Sequence, residues 1–236
     1  VNIQTQSSLK KDSFLEHPGP NLPWVEANRA VIIRAAVAIV VVALLVLIGV
    51  IYAQNQTAKA DAAFGQAMDV YDTPLTVPGQ PVDPDSPSYA TAAARAKVAN
   101  PLFVDAADHY SLFKAGQNAR YFAGLTYEDM GQNDQAEAAL KKVADSRDSG
   151  VAALAKMALA SLYRQTKRES EAIAIYQQLI AKPTLTVPAS TAKLELASLY
   201  ESSRPDEARK LYAQIKDADK TSAAGEIASK KLDGKK

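Results

Sequence analysis

The chain has 236 residues, with 27 Lys and Arg against 26 Asp and Glu, no cysteine, and hydrophobic residues making up 47%. Nucleic-acid binding calls for a basic face that neutralises phosphates, and this balance of charge argues against it. The missing cysteine excludes disulfides, thiolate metal sites and cysteine nucleophiles together.

Residues 1–29 hold Pro18, Pro20 and Pro23 and no sustained apolar period, so they read as a largely disordered tail. From Ala35 to Ala53 no charged residue occurs, and residues 30–53 are predicted to form a transmembrane helix. At about 1.5 Å per residue that segment covers a hydrocarbon core of roughly 30 Å. Its Val and Ile would favour strands in water, but in lipid the backbone must satisfy its own hydrogen bonds, which selects a helix. A cleaved signal peptide fits less well, because such peptides carry apolar cores of roughly 7–15 residues and a small-residue cleavage site. Lys10, Lys11, Arg29 and Arg34 precede the segment, while only Lys59 follows closely. Basic flanks stay in the cytoplasm, so the expected topology is a cytoplasmic N-terminus with the remainder across the membrane.

Residues 54–72 continue in helical composition, with Ala60, Phe64, Met68 and Tyr71 spaced to share one face that needs a partner. Prolines at 74, 78, 81, 84 and 87 then forbid a helix, and 73–87 is expected to be an extended spacer. Ser88–Val98 has helical composition, and Asn100-Pro101 suggests an N-cap and first-turn proline for a second helix, Pro101–Phe113. Leu102, Ala106, Tyr110 and Phe113 are the expected buried stripe of that helix.

Internal similarity dominates residues 117–216. Small residues Gly124, Ala160 and Ala197 are each followed three positions later by Tyr127, Tyr163 and Tyr200. Polar turns MGQND, QTKRE and SSRPD come next. After them, Ala136, Ala172 and Ala208 precede Leu140, Tyr176 and Tyr212 by four. The tyrosines of the first set lie 36 and 37 residues apart, and the third turn is one residue shorter than the others. A small residue on one helix admits the backbone of the next, and the larger residue on that helix covers the contact. A single such pair cannot bury its own apolar face, so pairs must stack. Thr221–Leu232 is a polar, Ala-rich helix suited to capping the stack, and residues 217–236 close with a basic tail.

Residues that could carry chemistry are few. His17 lies in the tail, and His109 is four residues after Asp105, a spacing better explained as a helix-stabilising pair than as metal ligands. No metalloprotease motif, phosphate-cradling loop or nucleophile elbow occurs. No catalytic, cofactor-binding or metal-binding residues are therefore expected, and the chain is read as a non-enzyme.

The pattern over 117–216 resembles the tetratricopeptide repeat family, whose period is about 34 residues. It departs from that family in carrying Arg120, Lys156 and Lys193 at the usual Trp position, with only Pro183 near an inter-repeat proline. The resemblance implies an all-α chain, a single N-terminal transmembrane helix followed by a tetratricopeptide-like solenoid over 88–216. It also implies a partner-binding groove lined by first-helix residues. Those map here to Asn118, Tyr121, Leu125 and Glu128, then Met157, Ser161 and Arg164, then Leu194, Ser198 and Glu201. They are mainly apolar or neutral, unlike the Lys, Asn and Arg of members that clamp a partner's terminal carboxylate. Their alternative role is packing against the next repeat or against Phe64 and Met68. The layout of tail, anchor, amphipathic helix and repeats resembles the ancillary SecYEG translocon subunit family of bacteria, the YfgM-like proteins. That resemblance implies an inner-membrane protein with a periplasmic repeat domain. Its partners would be translocon subunits, chaperones or exported chains, and Ala30–Ala53 would contact lipid.

Overall fold

The computed structural model describes residues 27–76, 87–218 and 220–234. The tail over 1–26, the centre of the proline-rich segment and the last two lysines lie outside the described residues. Nine helices are present among those described: α1 Arg29–Tyr71, α2 Ala92–His109, α3 Lys114–Asp129, α4 Asn133–Ala144, α5 Ser149–Gln165, α6 Glu169–Ala181, α7 Ala189–Ser203, α8 Pro205–Ala218 and α9 Ala223–Asp233. Contacts divide the chain into two units, Val1–Ala53 and Gln54–Lys236.

In the first unit, α1 is long and apolar enough to cross a membrane, and its most apolar window has none of its residues buried. Val37, Leu45 and Ile51 are typical in leaving more than half of their surface uncovered. So much uncovered aliphatic surface is unfavourable in water at roughly 25 cal/mol per Å² and asks for an apolar surround. The helical composition that continues past the apolar run is part of the same helix, since Gln54–Tyr71 contains no Pro to interrupt it.

The second unit opens with the remainder of α1. Ala60 and Ala67 are fully buried, and Phe64, Met68 and Tyr71 pack against the core that Phe103 and Phe122 share with alanines of α2 and α3. Phe64 and Tyr71 both contact Phe103 and Phe122, with ring centroids 5.5–6.0 Å apart. The two phenylalanines stack on each other at 5.4 Å. Aromatic pairs at such separations add to their area burial. The face expected of residues 54–72 therefore meets the helices that follow, and the partner is the α2–α3 pair.

Two expectations for this region are corrected. Asn100 is not an N-cap and Pro101 does not begin a helix: α2 runs unbroken from Ala92 with Pro101 inside it. The cap is Thr91, whose hydroxyl accepts from the Ala94 N–H at 3.0 Å. Asn100 instead points into the core, where Nδ2 donates to the Ala123 carbonyl at 3.2 Å and to Thr126 Oγ1 at 2.9 Å. Pro101 lacks the N–H that would reach Lys97, but both residues face solvent, where water can serve that carbonyl. The buried stripe of α2 also differs from the expected one, because the face carrying Asn100 and Phe103 is the one packed inward. Ala99, Phe103, Ala106 and Ala107 are buried, while Leu102 is 39% exposed and Tyr110 and Phe113 are only half-buried in the turn beyond. Of the expected stripe, Ala106 alone is buried.

The centre of the expected spacer lies outside the described residues, and its two ends are hydrogen-bonded to each other: the Thr76 N–H donates to the Tyr89 carbonyl at 2.9 Å, and the Tyr89 N–H to the Pro74 carbonyl at 3.1 Å. Arg95 secures this junction, donating to the Thr73 carbonyl at 3.1 Å and stacking 4.7 Å from the Tyr71 ring centre.

From α3 onward each helix packs on its sequence neighbours, as stacked antiparallel pairs require. The registered positions are the core. Ala136, Ala160, Ala172 and Ala197 are fully buried, and Leu140, Tyr176 and Tyr212 are at most 3% exposed. At Gly124 a Cβ would stand 2.6 Å from Leu140 Cγ, so only glycine admits that leucine. All three turns close onto the carbonyl of the repeated tyrosine. Gln132, Arg168 and Arg204 donate their N–H groups to Tyr127, Tyr163 and Tyr200 at 2.7–2.8 Å. Gly131 (φ 72) and Lys167 (φ 60) occupy the left-handed position just before that bond. The third turn, one residue shorter, lacks this left-handed residue and passes directly to Pro205 at the head of α8. The α9 helix, capped by Ser222, packs on α8 and α7.

Candidate functional site

The first helices α3 and α5 run side by side, and Tyr121, Leu125, Glu128, Met157, Ser161 and Arg164 line one cavity of about 310 Å³ between them. Leu154, Ala158, Tyr176 and Glu195 complete its wall. Six of the ten groove residues expected from the sequence are thus together. The other four do not line this cavity. Asn118 is half-buried a turn before Tyr121 on α3, and Leu194 is half-buried against the core. Ser198 is exposed on α7, and Glu201 accepts from Tyr212 Oη at 2.7 Å and pairs with Lys231 at 3.0 Å.

Packing, the alternative role expected of the groove residues, is seen at several positions. Tyr121, Met157 and Leu194 touch the buried core while remaining partly open, and Tyr121 meets Phe122 edge-on at 5.3 Å. The ring that meets Phe64 and Tyr71 from α3 is Phe122, the neighbour of Tyr121.

One rim of the cavity is polar and bridges the helices. Gln165 Nε2 donates to Glu128 Oε1 at 2.6 Å, joining α5 to α3. Arg164 donates to Glu195 at 3.1 Å, joining α5 to α7. Burial pushes the Glu128 carboxyl above its ordinary range, with nearby Asp129 adding to the rise and the Gln165 hydrogen bond opposing it. Tyr121 is likewise raised, chiefly by burial, and Tyr176 is pushed up to about 12 for the same reason with Glu195 adding to it.

Outside the cavity, a cluster that the repeat pattern does not show ties α4, α5 and α6. Tyr163 Oη donates to Glu137 at 3.0 Å, Arg168 donates to both Glu137 and Glu171, and Lys141 pairs with Glu137 at 2.6 Å. The Arg168 guanidinium lies 4.1 Å from the Tyr163 ring centre, and Arg204 repeats that stack on Tyr200 at 4.9 Å. The signal in the sequence was the pair of arginines that end the second and third turns. His109 contacts the Asp105 carboxylate at 3.1 Å on the exposed end of α2. Among the described residues no group of three or more His, Asp or Glu is placed to hold a metal.

Paired helices with recurring small residues, closed turns and an open seam between first helices define a helical-repeat scaffold. Residues 123–186, which span α4, α5, α6 and the second half of α3, match a family model described as tetratricopeptide repeat. Comparison with curated proteins and with solved structures returned no match. Repeats of this kind are protein–protein interaction scaffolds.

Proposed function

We propose that this chain is a membrane-anchored adaptor that holds a partner protein in the seam between α3 and α5. The observation carrying this reading is the cavity of about 310 Å³ that gathers Tyr121, Leu125 and Met157 with polar groups at one rim. Apolar pockets with a few convergent polar groups suit the side chains of an extended or helical segment. The uncovered aliphatic length of α1 supports anchoring, and the basic residues preceding it support a cytoplasmic N-terminus. On that topology the repeats stand in the periplasm of a bacterial inner membrane. The resemblance in layout to ancillary translocon subunits then makes exported chains, periplasmic chaperones or translocon subunits the partners to test first.

Photo-crosslinkers at Tyr121 or Met157, in full-length protein in its membrane, test the seam. A discrete protein adduct is expected from both positions and not from exposed Ser198. Adducts spread equally over all three would refute the seam as the binding site. Topology is tested separately by a reporter fused after Lys236, and activity confined to the cytoplasm would reverse the orientation.

A further inference from the structure

The charges around the cavity do not cancel. Arg164 on α5 is spent on Glu195 of α7, at 3.1 Å, which neutralises that pair. Asp129, at the end of α3, is offset by Arg95 on α2. Glu128 is left. Its hydrogen-bond partner is the neutral Gln165, and among the described residues no cation pairs with it. Tyr121 and Tyr176, the other ionisable groups at the cavity, stay neutral because burial raises both. The site therefore presents an apolar floor of Tyr121, Leu125 and Met157 beside one uncompensated carboxylate.

We infer that the seam takes an apolar segment bearing a lysine or arginine, whose cation pairs with Glu128. This rests on the seam being the binding site. Charge complementarity selects the occupant. A half-buried carboxylate is less screened than a surface one, so an arriving cation gains more from it than from an exposed acid. An anionic segment would meet Glu128, Asp129 and Glu195 with only paired arginines in reach, and is rejected. The preference is opposite in sign to that of clamps for terminal carboxylates. The raised Glu128 carboxyl is in keeping with this, since its charge is held without a cation and pairing would relieve that cost.

The test uses the full chain in detergent micelles and three fluorescent leucine–alanine peptides that differ only in a central Lys, Gln or Glu. Anisotropy should show the Lys peptide binding about 10-fold more tightly than the Glu peptide, a difference lost progressively with salt. Glu128→Gln should reduce the Lys peptide to the level of the Gln peptide. Arg164→Gln, which releases Glu195, should tighten the Lys peptide further, so the inference does not hang on one variant. Equal binding of all three peptides, each still crosslinking at Met157, would overturn the charge preference and leave the seam standing. Failure of every peptide to crosslink at Met157 would overturn both.

Discussion

Gly116, in the first turn of α3, should not tolerate alanine, whereas Gly65 in α1 should gain from it. The first-turn position lies under the α2–α3 connection, where the Phe113 N–H donates to the Tyr110 carbonyl at 2.9 Å. A Cβ on Gly116 would stand 1.9 Å from that carbonyl oxygen and 2.4 Å from its carbon. These are backbone atoms, so no rotamer change relieves the clash, and the turn must move. Moving it shifts α2 against α3 and disturbs the Phe103–Phe122 stack. Overpacking of this kind costs about 1–3 kcal/mol, and a rigid backbone obstacle argues for the upper end. In a domain of this size each kcal/mol moves the melting temperature by roughly 2–4 °C, so Gly116→Ala should lower it by about 5–10 °C. At Gly65 nothing lies within 4 Å of the added Cβ. The same substitution there removes only the flexibility of a mid-helix glycine and should stabilise by about 0.5–1 kcal/mol. Thermal unfolding of the full chain in one detergent, followed by far-ultraviolet circular dichroism, compares the two. Equal and small shifts for both variants would refute the assignment of Gly116 to a close backbone approach.

Further outcomes follow from the turns and from the Glu137 cluster. Gly131→Ala should destabilise and Lys167→Gly should stabilise, each by about 1 kcal/mol, because both positions are left-handed and only one already holds glycine. Chemical denaturation midpoints would check the opposite signs. Hydrogen bonds from Arg168, then Lys141 and Tyr163, hold the Glu137 carboxyl down at about 2, against an ordinary value of 4.5. A depressed carboxylate contributes stability that is complete above pH 4.5 and is lost as pH falls toward 2. Melting temperatures of the wild type and Glu137→Gln should therefore differ at neutral pH and converge over that acid window. A constant offset at all pH values would show that the carboxylate charge is not what the cluster stabilises.

The repeat stack was legible in the sequence because its contacts are local. Gly124 meets Leu140, and Tyr127 closes its own turn, within one helix pair. A period of 36–37 residues carrying small and aromatic residues at fixed offsets therefore stated which side chains become core. The shorter third turn was visible in the sequence as well, and the structure shows that the residue it lacks is the left-handed one. The apolar run of α1 was equally plain, being a matter of composition. Non-local contacts decided the rest. Asn100-Pro101 reads as a helix start, but Thr126 and the Ala123 carbonyl, more than 20 residues on, claim the Asn100 amide and let α2 run through. Successive side chains are about 100° apart, so the face that meets Phe64, Tyr71 and Phe122 takes Phe103 into the core and leaves Leu102 out. The groove divided on the same ground. The family resemblance named ten residues: Tyr121, Leu125, Glu128, Met157, Ser161 and Arg164 line the cavity, and Asn118, Leu194, Ser198 and Glu201 do not. That Arg164 is neutralised by Glu195 while Glu128 has only an amide beside it depends on which helices adjoin, and tertiary packing alone sets that.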